Sequence, residues 1–257
     1  MMPMTSCDLN CDMGEGFGVY RLGFERELMP YVSSISIACG FHAGDPSTMR
    51  ETIALAKAKE LSVGAHPGYP DLIGFGRRPM QLTPGEVYDA VVYQVGAFLG
   101  VAKSLKIEGT HVKVHGALYN AASADITLAS AVARAVRAVD GGLTLVGLAG
   151  GKLIEAGLSE GLCVAREAFA DRRYHADGSL VPRSHPLALY HSFTEAKEQV
   201  RELLTTGCVT SLTGEKVAIA ADTICVHGDS APAVEFASGL RSLMTELGVA
   251  LSPLTRG

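Results

Sequence analysis

Several signatures of common protein classes are missing from this sequence of 257 residues. Its six cysteines contain no C-x-x-C pair and most of them lie in apolar runs, so we expect neither a zinc knuckle nor disulfide bonds. No basic run is longer than two residues, and the formal net charge is −5. Nucleic acid is therefore not an expected partner.

Long hydrophobic runs and two familiar ligand loops are also missing. The longest apolar stretch, AVVYQVGAFLGVA, is interrupted by Gln94 and is shorter than a membrane span. The first residues lack a basic and then apolar leader, so we expect a cytoplasmic protein with no membrane partner. GLAGGKL at 147–153 has neither the spacing of a P-loop nor a hydroxyl after its lysine, and DLNCDMGEGFG at 8–18 lacks the glycine and glutamate of a calcium loop.

Short β-branched or apolar runs alternate with longer segments of helical periodicity along the chain, a pattern typical of parallel βαβ units. The seven predicted strands are 5–11, 34–39, 62–66, 111–115, 143–148, 163–169 and 223–227. The predicted helices are 46–60, 84–106, 126–139, 194–206 and 231–247, and the first two begin at the N-cap and proline pairs Asp45-Pro46 and Thr83-Pro84.

This alternation predicts one domain over 1–257, an irregular seven-stranded parallel β/α barrel. A doubly wound open sheet is the competing architecture, because periodicity does not distinguish the two. The stretch 171–186 breaks the alternation, and its Asp177-Gly178 turn predicts a small hairpin or flap over one end of the barrel.

Acidic side chains alternate along the first predicted strand. Asp8, Asn10 and Asp12 would share one face and point toward the barrel axis or its mouth. A buried strand accommodates acidic side chains only where they are paired, bound to metal or catalytic. These three residues are therefore candidates for a functional site.

Four histidines each end an apolar run beside a glycine, and they are His42, His66, His115 and His227. In parallel α/β folds the carboxyl ends of the strands carry the chemistry. Their equivalent positions, together with the aspartates near them, predict one shared site at this end of the barrel. Those aspartates are Asp8, Asp12, Asp45, Asp71 and Asp229.

Cations accompany this predicted site. Lys113 lies in the alternating run HVKVH, where a lysine inside a barrel requires an anion. Arg77 and Arg78 follow two glycines, and either could bind a carboxylate through two hydrogen bonds. Arg166 and Glu167 end the sixth strand, where a salt bridge across the mouth and a substrate contact are both open.

Long, irregular motifs add a resemblance to these expectations. The strings DLNCDMGEGFG, SISIACGFHAGDP, VGAHPGYPDLIGFGRR, VKVHGALYN, REAFADRRY and CVHGD resemble the LamB/YcsF family, the A subunits of bacterial ATP-dependent 5-oxoprolinase, over nearly the whole chain. The resemblance implies a barrel related to those of polysaccharide deacetylases. It also implies that 5-oxoproline, ATP and water give glutamate, ADP and phosphate, with separate B and C subunits as partners and a homo-oligomer left open.

The residues suggest roles in this reaction. A general base is needed, for which Asp8 or Asp12 is suited, while His42, His66 and His115 suit proton transfer or hydrogen bonding. The remaining candidates would bind the substrate or a phosphate, and they are Asn10, Lys113, Arg77, Arg78, Asp45 and His227.

Two other functions compete with this reaction. Aspartates and histidines on neighbouring strands also match a metal-dependent, deacetylase-like hydrolase of a carbohydrate or an amide. The residues leave open whether a divalent metal is bound, and its ligands would be Asp12, His42 and His66. A non-catalytic protein that binds a sugar or an acid is the third possibility.

Overall fold

The structure is a computed structural model that describes residues 4–22, 24–190, 192–226 and 233–257. Its strands are β1 (Ser6–Met13), β2 (Ser34–Ala38), β3 (Ser62–His66), β4 (His111–Lys113), β5 (Thr144–Leu148), β6 (Val164–Phe169), β7 (Cys208–Thr210), β8 (Lys216–Ala218), β9 (Thr223–Val226) and β10 (Ala250–Leu251). Its helices are α1 (Glu25–Leu28), α2 (Pro46–Lys57), α3 (Pro84–Ser104), α4 (Gly116–Ala124), α5 (Ile126–Val139), α6 (Lys152–Ser159), α7 (Phe193–Thr206) and α8 (Ala233–Glu246), with a 3-10 turn at Met29–Tyr31.

Seven parallel strands close into a barrel within the described residues. The order is β1-β2-β3-β4-β5-β6-β9, and β9 pairs again with β1, so that no free edge is left between them. The predicted seven-stranded barrel is confirmed, and the competing open sheet is wrong. Of the additional strands, β10 pairs in parallel with Ser6 and Cys7 of β1. Strands β7 and β8 form a separate antiparallel hairpin.

The two faces of each strand differ in chemistry because successive side chains point to opposite sides. Outward residues such as Leu9, Ile35 and Leu145 are fully buried against the surrounding helices and form the apolar core. Inward residues are mostly polar, and strand pairing places Asn10 beside Ser34 and Glu167 beside Thr223. The barrel interior is therefore a buried polar network rather than an apolar core.

Local sequence signals fix several helix starts. Asp45 caps α2 by accepting hydrogen bonds from the backbone N–H groups of Ser47 and Thr48. Thr83 and Glu86 form a capping box at α3. The short α1, α4, β10 and the β7–β8 hairpin lay outside the prediction. No helix among the described residues is long and apolar enough to cross a membrane.

The C-terminal segment closes the lower end of the barrel, where the strands begin. The N–H of Leu254 donates to Ser34 Oγ at 2.9 Å, and Ser62 Oγ donates to the Leu254 carbonyl at 2.6 Å. The Leu254 side chain packs with Val146 and Ala165. The described C-terminal residues thereby cover the end of the barrel opposite the cavity described below.

The 171–186 segment folds back on itself beside the upper end. Tyr174 and Leu180 form an antiparallel bridge, and Gly178 takes a left-handed φ of +84° in the turn between them. Leu180 and Pro182 line the cavity described below. This segment therefore supplies part of the wall of that cavity.

Candidate functional site

A cavity of about 410 Å³ opens at the carboxyl ends of the strands. Pockets for small ligands fall in this size range. Its wall combines strand ends, the loops after them and the 171–186 segment, and it is formed by Asp12, Glu15, His66, Arg77, Pro79, Lys113, Val114, His115, Gly116, Ala117, Tyr119, Asn120, Glu167, Phe169, Arg172, Leu180, Pro182, Arg183 and Ser184. The cavity holds groups of both charges together with imidazoles.

Lys113 is the central cation of the barrel interior. Its Nζ lies 2.6 Å from Asp12 Oδ1, 3.0 Å from Glu167 Oε1 and 2.7 Å from Asn10 Oδ1. Nζ donates hydrogen bonds to Asn10, Glu167 and Cys225 Sγ, the last at 3.4 Å, and the Asp12 carboxylate adds an ion pair. Burial alone would lower the pKa of Lys113, but the adjacent carboxylates raise it well above its usual range. Lys113 is therefore charged and fully paired, as its position on the strand predicts.

Asp12 lies between Lys113 and His66 at the floor of the cavity. Its Oδ2 is 3.3 Å from His66 Nε2. Burial by itself would raise the pKa of Asp12, but His66 and Lys113 hold it well below its usual range. Asp12 is therefore a fixed negative charge in the working pH range, which makes it a weak base.

His66 and His115 face each other in an arrangement that defines their protons. His66 Nδ1 lies 2.6 Å from the Lys113 carbonyl, and His115 Nε2 lies 2.8 Å from the Phe75 carbonyl. A carbonyl only accepts, so both of these nitrogens carry a hydrogen. The remaining pair, His66 Nε2 and His115 Nδ1, is 2.9 Å apart. Two bare lone pairs repel at that distance, so a proton or a metal ion must lie between them.

His42 completes a group of buried metal-type donors with Glu15. Donor atoms of Glu15, His42, His66 and His115 all lie within 4.8 Å of one another. Neither ring nitrogen of His42 has a hydrogen-bond partner among the described residues. Burial, and then the charges of His115 and His66, lower the pKa of His42 well below its usual range. Neutral imidazoles and a carboxylate are suitable ligands for a divalent ion.

The ring geometry limits which of these donors could share one ion. The rings of His42 and His115 are stacked, with centroids 3.8 Å apart and planes only 3° from parallel. Their in-plane lone pairs therefore run side by side and do not converge. The rings of His66 and His115 are almost perpendicular, at 84°, and their nitrogens meet. Glu15, His66 and His115 are thus the better ligand set, whereas the sequence predicted Asp12, His42 and His66.

Close packing against glycine holds this stack in place. A Cβ added to Gly76 would lie 2.7 Å from His42 Cβ and 2.8 Å from His115 Cδ2, and Gly76 has a left-handed φ of +62°. Any side chain there would displace the rings. Gly68, two residues after His66, is also tightly packed, since an added Cβ would lie 2.7 Å from His42 Nδ1.

Asp8 and Asn10 lie below the cavity and do not line it. The carboxylate of Asp8 accepts hydrogen bonds from the hydroxyls of Ser33, Ser34 and Thr223. Burial raises its pKa, although these hydroxyls oppose the shift. Asn10 donates to Glu167 Oε1 at 3.0 Å and accepts from Lys113, so it braces the charged groups from beneath.

Three other predicted residues occupy different places. Asp45 caps α2 and also accepts from the Gly18 N–H at 2.9 Å. The Arg78 side chain is 63% exposed and pairs with Asp71. Arg77 does line the cavity, with its guanidinium carbon 5.0 Å from the centroid of the Phe75 ring.

His227 and Asp229, both predicted near the site, lie outside the described residues. Of the ion pair considered at the sixth strand, Arg166 instead forms a two-point contact with Asp222. Glu167 points inward to Lys113.

Sequence reasoning did not single out Glu15, Tyr119 or Arg172, although all three line the cavity. Tyr119 lies one helical turn after His115 on α4, a spacing that could have indicated it. Its hydroxyl and Glu167 Oε2 are buried without a well-formed hydrogen bond in the described part of the chain, although burial and then the Glu167 carboxylate raise the pKa of Tyr119. Such unsatisfied atoms at the edge of a cavity indicate a place where a ligand binds.

Known proteins resemble this chain over almost its whole length. The sequence profile of the LamB/YcsF family matches residues 7–257. The A subunit of 5-oxoprolinase from Tolumonas auensis is 55% identical over 98% of this chain and 100% of its own length. A lactam utilization protein from Thermus thermophilus has a solved structure with a TM-score of 0.91 and 44% identity, covering 96% of this chain and 98% of that one.

A more distant likeness concerns the fold alone. A family 4 carbohydrate esterase from Streptomyces lividans has a TM-score of 0.51 at 13% identity, covering 99% of this chain and 97% of that one. The predicted relation to deacetylase-type barrels is thereby confirmed at the level of architecture. With a matching profile over almost every residue and a relative that aligns over its full length, this chain belongs to the LamB/YcsF family.

Proposed function

We propose that this chain is the A subunit of an ATP-dependent 5-oxoprolinase, which hydrolyses 5-oxoproline to glutamate as ATP becomes ADP and phosphate. Support comes from the relative named as the A subunit of 5-oxoprolinase, at 55% identity over its full length. The observation that carries the proposal is the cavity itself, where Asp12 is held between Lys113 and His66 beside a second histidine.

A five-membered lactam resists water until its carbonyl is activated. Transfer of the γ-phosphoryl group of ATP to the amide oxygen would form an O–P bond, break the bond to ADP and leave the carbonyl carbon electrophilic. Water then adds to that carbon and the C–N bond of the ring breaks, which leaves a γ-glutamyl phosphate. A second water attacks its carbonyl carbon, forms the glutamate carboxylate and releases phosphate with the former amide oxygen. The reaction needs a proton acceptor for the water and cations near the developing negative charge.

The geometry assigns these needs to particular groups. His66 Nε2, which faces Asp12 Oδ2 at 3.3 Å, is suited to take the proton from water when no ion lies between it and His115 Nδ1. Asp12 has too low a pKa to be a good base and instead stabilises a positive charge on His66. Lys113 supplies positive charge at the floor of the cavity.

The nucleotide site is proposed to be shared with other subunits. No P-loop occurs in the sequence, and GLAGGKL forms a turn into α6. The relative's name marks it as one of several subunits. B and C subunits would then complete the ATP site at the open mouth of the barrel.

A divalent ion is a further proposed component, held by Glu15, His66 and His115. Each of the two imidazoles is oriented by a backbone carbonyl on its other nitrogen, an arrangement common behind metal ligands. When bound, such an ion polarises a carbonyl oxygen or lowers the pKa of a bound water.

Elemental analysis and the visible absorption of Co²⁺-loaded protein would test the ion. About one ion per chain is expected, with strong loss in His115→Gln and retention in the matched control His111→Gln on the preceding strand β4. Equal retention in both variants, or no ion in the native protein after metal loading, would remove the metal from the proposal.

Glutamate release from 5-oxoproline tests the whole function. The isolated chain is expected to show negligible ATP-dependent release, and addition of the B and C subunits should restore it. Full activity of the chain alone would refute the shared nucleotide site. No activity in the assembled complex would refute the proposed reaction.

The histidine and glutamate cluster also supports a second candidate, a metal-dependent hydrolase of an acetylated carbohydrate or amide. That reaction requires no ATP and no partner. Acetate release by the metal-loaded chain alone from an N-acetylated oligosaccharide would favour it over the first proposal.

A further inference from the structure

Arg172 is a buried cation in the wall of the cavity. The residue is only 4% exposed, and its Nη2 donates to the Val181 carbonyl at 2.7 Å. Its Nε–H has no hydrogen-bond partner among the residues that the structure describes. A guanidinium carries five N–H donors in a planar fork. Donors of Arg172 therefore remain for another group.

Among the described residues the charge of Arg172 is only weakly offset, since the charge of Asp171 raises its pKa less than burial lowers it. Arg78, Arg166 and Arg256 each pair with an aspartate. No carboxylate in the described ranges forms an ion pair with Arg172, although it is more deeply buried. Burial, and then the charge of Arg183, lower the pKa of Arg172 to about 10, so it stays protonated at neutral pH. A buried unpaired charge is costly, and an anion would offset that cost.

The side chain is fixed before any ligand arrives. Its guanidinium carbon lies 6.0 Å from the centroid of the Phe169 ring. Gln199 Nε2 donates to the carbonyls of Arg172 and Phe169, at 2.9 and 3.0 Å. Arg172 also forms an antiparallel bridge with Leu189. A cation held in this way loses little conformational entropy when it binds an anion.

Charge is distributed unevenly around the cavity. Arg172, Arg183 and Ser184 come from the 171–186 segment, whereas the carboxylates of Asp12 and Glu15 come from β1 and the loop after it. A ligand with a carboxylate at one end and a neutral amide at the other matches such a wall. 5-Oxoproline carries its carboxylate on the ring carbon beside the amide nitrogen.

We infer that Arg172 binds the carboxylate of a small lactam acid and thereby presents the amide of the ring to Lys113 and the histidines. A guanidinium binds a carboxylate through two parallel hydrogen bonds, which fixes orientation as well as charge. The inference rests on the proposed function, whose site it deepens. It predicts that lactams without the carboxylate bind weakly.

Calorimetric binding to the full chain assembled with its B and C subunits tests this. The probes are 5-oxoproline, its carboxamide, 2-pyrrolidinone and inorganic phosphate. Arg172→Gln should weaken 5-oxoproline binding by at least about 30-fold, the scale for truncating one partner of a buried charge pair. Arg172→Lys should recover part of the loss. Arg173→Gln, at the neighbouring cation that pairs with Glu195 and does not line the cavity, should change nothing. Binding of 2-pyrrolidinone should be the same in all proteins.

The outcomes separate this inference from the proposed function. Equal 5-oxoproline affinity in native and Arg172→Gln proteins overturns the inference alone, as does a loss of phosphate binding with 5-oxoproline unchanged. Failure of the native complex to bind 5-oxoproline at all overturns the proposed function and the inference with it. If Arg172→Gln does not fold, native protein should still prefer 5-oxoproline to its carboxamide by at least about 30-fold, and equal affinities would overturn the inference.

Discussion

Asp8 and Asp12 lie four residues apart on the same face of β1, yet their surroundings differ in kind. Asp8 accepts from three hydroxyls at the closed lower end of the barrel. Asp12 faces an ammonium, an imidazole and a cavity at the open upper end. Burial raises the pKa of Asp8, whereas His66 and Lys113 outweigh burial and lower that of Asp12.

The difference lies in whether hydrogen bonding is complete. Each hydroxyl around Asp8 also accepts a hydrogen bond: Ser33 from the Leu9 N–H, Ser34 from the Leu254 N–H, and Thr223 from the Asn10 amide. All three hydroxyls donate their hydrogen to the Asp8 carboxylate. The upper level instead keeps unsatisfied atoms among its described residues. Asp8 therefore joins neighbouring strands through complete hydrogen bonding. The groups around Asp12 keep hydrogen-bonding capacity for a ligand.

The largest expected effect comes from Asp12→Asn. The amide keeps the size of the carboxylate but removes the charge that faces His66, while Glu167 still pairs with Lys113. We expect glutamate release by the assembled enzyme to fall at least about 10²-fold, the scale of losing a positioned group in proton transfer. Circular dichroism should show an intact fold. Near-normal turnover would mean that the upper carboxylate has no part in the chemistry.

Asp8→Asn should have the opposite outcome. Its amide N–H group would replace an acceptor oxygen and face a hydroxyl hydrogen that points at it, so the free energy of unfolding should fall by about 1–3 kcal/mol. Activity per folded molecule should stay within about twofold. Urea unfolding and the coupled assay measure the two quantities. A stable but inactive Asp8→Asn protein would mean that Asp8 takes part in the chemistry and is not a structural carboxylate.

The pH dependence of that loss has a defined sign. The pKa of Asp8 is higher in the folded than in the unfolded protein. The contribution of Asp8 to the free energy of unfolding is therefore complete below its pKa in the unfolded chain. It declines as the pH rises through its pKa in the folded protein. The stability difference between native and Asp8→Asn proteins should narrow with rising pH, and a widening difference would contradict the raised pKa.

His111 lies between the two levels and should make the barrel sensitive to acid. Its ring nitrogens contact Ser36 Oγ at 3.2 Å and Thr110 Oγ1 at 2.8 Å. Burial, and then the charge of Lys113, lower its pKa to about 3. Between that value and the unfolded pKa of about 6.5, the unfolded chain binds the extra proton, so stability falls as the pH falls.

His111→Gln should remove the uptake of one proton on unfolding, so the free energy of unfolding of the variant should depend less steeply on pH. Between pH 6.5 and 5, the native protein should lose about 2 kcal/mol more unfolding free energy than the variant. Urea titrations at several pH values give the slopes independently of the lower starting stability of the variant. Parallel slopes would show that His111 titrates normally in the fold.

The sequence predicted the barrel well because its signals are local. Each of the seven strands has an apolar outward face bounded by turns, and the starts of α2 and α3 carry side-chain caps. α4 escaped prediction because it begins at His115 without any side-chain cap. The closure of the lower end of the barrel by Leu254 could not be predicted, because its contacts with Ser34 and Ser62 join distant parts of the chain.

The site was predictable only in part, for a related reason. Strand ends gather by topology, so the convergence of His42, His66 and His115 could be predicted from their positions. The alternation of side chains predicted that Asp8 and Asp12 share one face of the strand. It did not predict which of them lies at the closed end of the barrel, because that depends on how the lower end is closed. Arg172 and Glu15 reach the cavity from segments whose path is set by tertiary packing.

The smallest expected effect concerns Asp45, a third predicted carboxylate that lies outside the barrel interior. Its oxygens accept from the backbone of Ser47 and Thr48 at the start of α2 and from the Gly18 N–H. Asp45→Ala should therefore lower the free energy of unfolding by about 1 kcal/mol, the usual cost of losing an N-cap. Asp45→Asn, which keeps the cap and removes the charge, should cost less, and both variants should retain full glutamate release in the assembled enzyme. If Asp45→Asn were stable but poorly active, the negative charge of Asp45 would act on the substrate or a partner, and the distinction between structural and reactive carboxylates would have to extend beyond the barrel interior.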